Sequence, residues 1–139
     1  MAAMRYLLDT HALIWAVEGV DMAAAAIEAI NAAAANDQQI FVSPISAWER
    51  GLLIAKGRIT SPIAPGLWFD RVVAMKEIAL ADLTPGILTD SSFLPLPVHN
   101  DPADRILITT ARTLDLTIIT RDRAILRYAA LGHVKALAC

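Results

Sequence analysis

Short apolar runs that stop at a polar residue, each followed by helical spacing, limit the fold more than any other feature of this chain. "RYLL" ends at Asp9, "QIFV" at Ser43 and "LTIIT" at Arg121, and "IALA" and "VKALA" have the same strand-like character. Strict alternation is absent, so such strands suit a sheet covered on both faces. The intervening stretches are long enough for crossover helices. "THALIWAVEG" places Leu13, Ile14 and Val17 near helical spacing and stops at Gly19. Strands joined by helices predict an α/β fold with a mainly parallel sheet. At 139 residues, with no repeat or low-complexity linker, the chain fits a single domain over 1–139.

Helix boundaries are marked by residue chemistry. Ser43-Pro44 and Thr84-Pro85 each pair a capping hydroxyl with proline, which is favoured in a first helical turn. "DMAAAAIEAINAAAAN" has high helix propensity, with Ile27 and Ile30 as its expected buried stripe. In "ISAWERGLLIAKG", Ile45, Trp48 and Leu52 are expected to face inward. "PGLWFDRVVAMKE", "DPADRILITTARTLD" and "RDRAILRYAALG" complete the helical stretches.

Composition removes several functional classes. Hydrophobic residues make up 56% of the chain and charged ones 19%, which suggests burial on both sheet faces or an apolar face kept for a partner. Arg5, Asp9, Glu18, Glu28 and Glu49 interrupt every apolar stretch well before the roughly 20 residues of a membrane span. Asp9 and His11 fall where the apolar core of a secretory signal would lie. Cys139 is the only cysteine, so no intrachain disulfide or thiolate zinc site can form and a cytoplasmic setting is expected. The net charge of -2 gives no general attraction to nucleic acid. A local basic rim remains open around Arg121, Arg123 and Arg127, as does an ordinary solvated helix face.

Four acids fall at segment ends. Asp9 follows the first strand, Asp122 follows "LTIIT", Glu49 lies one turn into the helix after "QIFV", and Asp104 opens the "DPADR" helix with Asp101 three residues before it. Each has a simpler use. Asp9, Asp101 and Asp122 can cap helices, and Asp104 can pair with Arg105 or favour the helix dipole. Glu49 sits close to the inward face, where an unpaired charge is costly. Ligands of open α/β sheets bind beyond the carboxyl ends of the strands, where Asp9 and Asp122 converge if their strands are neighbours. Clustered carboxylates need a proton or cation between them. Their all-oxygen chemistry suits Mg²⁺ or Mn²⁺, ions that support phosphodiester hydrolysis.

No P-loop, G-x-G-x-x-G, G-x-S-x-G or H-E-x-x-H motif occurs. Thr10, Ser46 and Thr120 are short polar residues able to orient an acid or a water, or to cap. His11 fits a packed or capping residue beside the site, His99 a hydrogen-bond donor behind it, and His133 a structural position. Trp15, Trp48 and Trp68 are expected to be core or interface aromatics.

"YLLDTHALIWAV", "VSPISAWE", "DPADRILITTA" and "IITRD" occur in that order across nearly the whole chain. Together they resemble the PIN-domain family, especially the VapC-type toxins of bacterial toxin–antitoxin pairs. The resemblance implies a three-layer α/β/α sandwich with a mainly parallel sheet of about five strands and an acidic pocket at its carboxyl edge. It assigns the metal-site and catalytic acids to Asp9, Glu49, Asp104 and Asp122, with Asp101 in an outer site and Thr120 as a supporting hydroxyl. It implies a Mg²⁺- or Mn²⁺-dependent endoribonuclease acting on RNA such as tRNA, and a homodimer inhibited by a small antitoxin. DNA contact would come only through that antitoxin. A PIN-type RNA-processing nuclease without an antitoxin and a catalytically silent α/β binding protein are the alternatives. A phosphoacceptor domain ranks lower, because "LLDTH" lacks an acid pair and Lys56, Lys76 and Lys135 are poor substitutes for its lysine.

Overall fold

Five strands are separated by seven helices, singly or in pairs, in a computed structural model that describes residues 4–139. Their order is β1 (Tyr6–Leu8), α1 (Thr10–Glu18), α2 (Ala24–Ala35), β2 (Ile40–Val42), α3 (Pro44–Ala55), α4 (Pro65–Val73), β3 (Ile78–Leu80), α5 (Pro85–Asp90), α6 (Pro102–Leu114), β4 (Thr117–Thr120), α7 (Arg123–Ala130) and β5 (Lys135–Ala138). The strands form one sheet in the order β3-β2-β1-β4-β5, and all four pairings are parallel. The expected α/β sandwich is therefore present.

Two apolar layers enclose the sheet, because consecutive strand residues point to opposite faces. Leu7 and Ile118 pack with Leu107 and Ile108 of α6 and Ile125 of α7. Leu8 and Ile119 pack on the other face with Leu13 of α1, Ala26 and Ala33 of α2, and Trp68 and Val72 of α4. Burial on both faces accounts for the continuous apolar character of the strands.

This topology also fixes where a ligand can enter. From β1 the chain moves outward through β2 and β3, then crosses to β4 on the other side of β1. The order thus reverses between β1 and β4, whose carboxyl ends form the usual ligand crevice of an open α/β sheet. Leu8 pairs with Ile119, and the Asp9 amide donates to the Ile119 carbonyl at 3.2 Å, so Asp9 and Thr120 emerge side by side.

Two local expectations are corrected. In α2 the buried stripe consists of Ala26 and Ala33, whereas Ile27 is exposed and Ile30 only half-buried. Small side chains let this helix approach the layer formed with β5, where the Ala23 amide reaches the Cys139 carbonyl at 2.9 Å. In α3, Trp48 is 55% exposed instead of inward. Ser46, Arg50 and Leu53 share the inward edge at helical spacing, which turns Trp48 to the opposite side.

Candidate active site

Three of the acids are fixed by the helices that they begin. Asp9 caps α1, its Oδ1 accepting from the Ala12 amide at 2.8 Å. Asp101 caps α6 through the Asp104 amide at 3.0 Å, and Asp122 caps α7 through the Ile125 amide at 2.9 Å. Capping and site formation are thus one arrangement: one carboxylate oxygen is held at the helix start, leaving the other for further contacts. The amino ends of these helices also favour negative charge.

Behind the acids, hydroxyl groups complete the frame. Thr120 donates to Asp9 Oδ2 and accepts from the Asp122 amide at 3.0 Å. Thr10 donates to Glu49 Oε1, and the Thr10 and Ser46 oxygens lie 3.0 Å apart. The structure thereby brings the acids, the short polar residues and His11 expected at the site to one place. Asp9, Thr10, His11, Glu49, Asp101, Asp104 and Asp122 line a cavity of about 420 Å³, while Ser46 and Thr120 are buried at its base.

Three further residues complete the lining. Trp15 stands beside His11, with ring centroids 5.7 Å apart, and the Arg121 guanidinium lies 4.0 Å from the centre of the Trp15 ring. Arg121 is also held by the carbonyls of Cys139 at 3.0 Å and Asp21 at 3.3 Å. It is therefore a fixed cation at the acid cavity, a more specific position than the basic rim that the sequence left open. His99 projects its Nε2 to 3.1 Å from Asp104 Oδ2 and 3.8 Å from Asp122 Oδ2. Its place two residues before the cap Asp101 was the available signal for this contact. The considered pairing of Asp104 with Arg105 is not observed: Arg105 Nε donates to the His99 carbonyl at 2.6 Å.

Charge crowding is marked. Burial pushes the Asp104 carboxyl from 3.8 up to about 8, reinforced by Asp101, Asp122, Glu49 and Asp9 in that order. Burial also raises Asp9 and Glu49, opposed chiefly by their hydrogen bonds to Thr120 and Thr10. Acids this close hold protons unless a cation replaces them. Potential ligand atoms lie within 4.8 Å of one another in two groups, His99–Asp104–Asp122 and Glu49–Asp101–Asp104. The donor set fits hard divalent cations, with Asp104 common to both groups.

Comparison with known proteins agrees with this geometry. The family profile described as "PIN domain" matches residues 6–131. Ribonuclease VapC22 of Mycobacterium tuberculosis is 30% identical over 118 residues, covering 84% of this chain and 86% of that protein. The crystal structure of VapBC2 from Rickettsia felis bound to a DNA fragment from their promoter contains a chain with the same fold. It gives a TM-score of 0.64 at 14% identity, covering 97% of this chain and 98% of that one. The chain belongs to the PIN-domain family, with a VapC ribonuclease among its relatives.

Proposed function

We propose that this protein is a metal-dependent endoribonuclease that hydrolyses RNA phosphodiester bonds. The main support is the convergence of Asp9, Glu49, Asp104 and Asp122 on one cavity at the β1–β4 crevice. Asp9, Asp104 and Asp122 would hold one divalent cation, Mg²⁺ or Mn²⁺. Glu49, with Asp101 and Asp104, would serve a second position. Such ions supply Lewis-acid chemistry, lowering the pKa of water and offsetting charge on phosphoryl oxygens.

The protein groups perform distinct tasks in this reading. Thr120 keeps Asp9 turned towards the cavity, and Thr10 with Ser46 holds Glu49 where it can orient an attacking water. Arg121, fixed over Trp15, offers a positive contact to the RNA backbone beside an otherwise acidic cavity. Water attacks phosphorus, the P–O3′ bond breaks, and the products carry a 5′-phosphate and a 3′-hydroxyl.

The biological setting that fits is the toxin of a type II toxin–antitoxin pair. The relation to ribonuclease VapC22 supports this assignment. Exposed Trp48, Phe93 and Leu96 offer apolar surface suited to the small antitoxin or a second copy of the chain. Structured RNA such as tRNA is the proposed substrate. Among the described residues, no helix is long and apolar enough to cross a membrane.

The decisive test incubates purified, antitoxin-free protein with total cellular RNA in Mg²⁺, Mn²⁺ or EDTA, beside Asp9→Asn. Metal-dependent products bearing 5′-phosphates, absent from the variant, are expected. Cyclic phosphate ends would show attack by the 2′-hydroxyl and overturn the hydrolytic route. Absence of both cleavage and metal binding would favour a silent binding protein.

A further inference from the structure

His99 can meet a cation in the cavity in two ways, and its hydrogen bonds distinguish them. Its Nε2 lies within the group formed with Asp104 and Asp122, close enough to act as a ligand. On the other side of the ring, Nδ1 accepts the Asp101 backbone N–H at 3.3 Å. An amide always donates, so Nδ1 must present its lone pair, and the hydrogen of the neutral ring resides on Nε2. Nε2 then faces Asp104 Oδ2 at 3.1 Å as a donor, with no lone pair for a cation. Arg105 fixes the same residue from behind by donating to the His99 carbonyl at 2.6 Å. To become a ligand, the ring would have to move its hydrogen to Nδ1 and lose the contact with Asp101.

On this basis we infer that His99 is a positioning residue: its Nε2–H holds the Asp104 carboxylate in place while the ligand shell of the cation remains oxygen. Asp104 belongs to both candidate cation positions, so fixing this one side chain organises both. The assignment also sets metal preference. An imidazole ligand would shift the site towards zinc and other borderline metals, whereas an imidazole donor leaves the hard oxygen environment suited to Mg²⁺. This inference rests on the proposed metal-dependent nuclease, but its test requires neither an RNA substrate nor turnover.

Long-range ¹H–¹⁵N correlation spectra of the ¹⁵N-labelled full chain report which ring nitrogen bears hydrogen. The protein has three histidines, and loss of one signal set in His99→Gln assigns the residue. The Nε2–H form is expected without metal and with saturating Mg²⁺. Calorimetric Mg²⁺ titration should then show about a tenfold loss of affinity in His99→Phe, which retains a ring but no donor. His99→Gln, whose amide can donate from a similar reach, should recover most of that loss. An Nδ1–H form with Mg²⁺ bound would make His99 a ligand and overturn the inference while leaving the nuclease reading intact. Unchanged affinity in folded His99→Phe would also overturn it, and if that variant does not fold, the wild-type tautomer decides. Failure of the wild-type protein to bind either Mg²⁺ or Mn²⁺ would remove the nuclease reading as well.

Discussion

The Thr120 hydroxyl donates to Asp9 Oδ2, joining the ends of β4 and β1 across 111 positions of sequence. The same hydroxyl accepts from the Asp122 amide, so one side chain aligns two acids that begin different helices. Thr120 is fully buried, leaving no ready solvent replacement for either bond.

Replacing Thr120 with Val preserves shape but leaves the Asp9 oxygen and the Asp122 amide without this partner. Stability should fall by about 1–3 kcal/mol, the usual cost of an unsatisfied buried polar group. The Asp9 carboxyl should move further up, because its bond to Thr120 is a principal influence holding it down. Thr120→Ser should retain both hydrogen bonds and most of the stability. Urea unfolding of the three proteins checks this prediction, and a Val variant as stable as wild type would contradict it.

A pH dependence follows from Asp104. Its carboxyl is raised from 3.8 to about 8, so between those values the folded metal-free protein retains a proton that the unfolded chain has released. Stability attributable to this group must therefore decline as pH rises through that window. Asp9 and Glu49 act in the same direction because burial raises them as well. Mg²⁺ competes with the proton, so its increase in melting temperature should be larger near pH 8 than near pH 5. Thermal unfolding of wild type and Asp104→Asn over this range isolates the effect. The variant should show a weaker decline, and parallel curves would contradict the assignment.

Capping and ligation can be separated at Asp122. Serine at this position can accept from the Ile125 amide but lacks the second oxygen that faces His99. Asp122→Ser should remain within about 0.5 kcal/mol of wild type in stability, whereas Asp122→Ala should lose about 1 kcal/mol with the cap. Both should weaken Mg²⁺ binding by at least about tenfold if Asp122 is a ligand. Denaturation and calorimetry on the same samples resolve the two roles; equal stability of Ser and Ala variants would dismiss the cap.

The strands, most helix starts and the acids were legible because each has a local chemical mark. Asp9 and Asp122 follow apolar runs, and Asp101 precedes a first-turn proline. Strand order was not local information: β1 lies between β2 and β4 through pairings distant in sequence. The position of Trp48 also depended on context, since the buried edge of α3 is chosen by its neighbours and includes the polar Ser46 and Arg50. His99 showed its histidine chemistry in sequence, but the contact with Asp104 depends on a loop tied by Asp101 and Arg105.

Arg50 provides a test of that unexpected inward edge. Its side chain is only 2% exposed, and the guanidinium lies 3.7 Å from the centre of the Trp68 ring. One nitrogen donates to Ser61 at 3.1 Å, while Nε and Nη1 have no hydrogen-bond partner among the described residues. Burial lowers its pKa, consistent with the cost of holding a charge there. The stacking contact contributes roughly 0.5–2 kcal/mol, and two unpaired buried donors oppose it at a comparable cost each. Arg50→Met retains a long apolar side chain at the Trp68 face and removes both donors. Its unfolding free energy should therefore be within about 1 kcal/mol of wild type or higher, as found when unsatisfied buried charge gives way to packed apolar volume. Arg50→Ala should lose at least about 2 kcal/mol by opening a cavity. Comparable losses in Met and Ala would instead show that the charge itself stabilises the interface between α3 and α4.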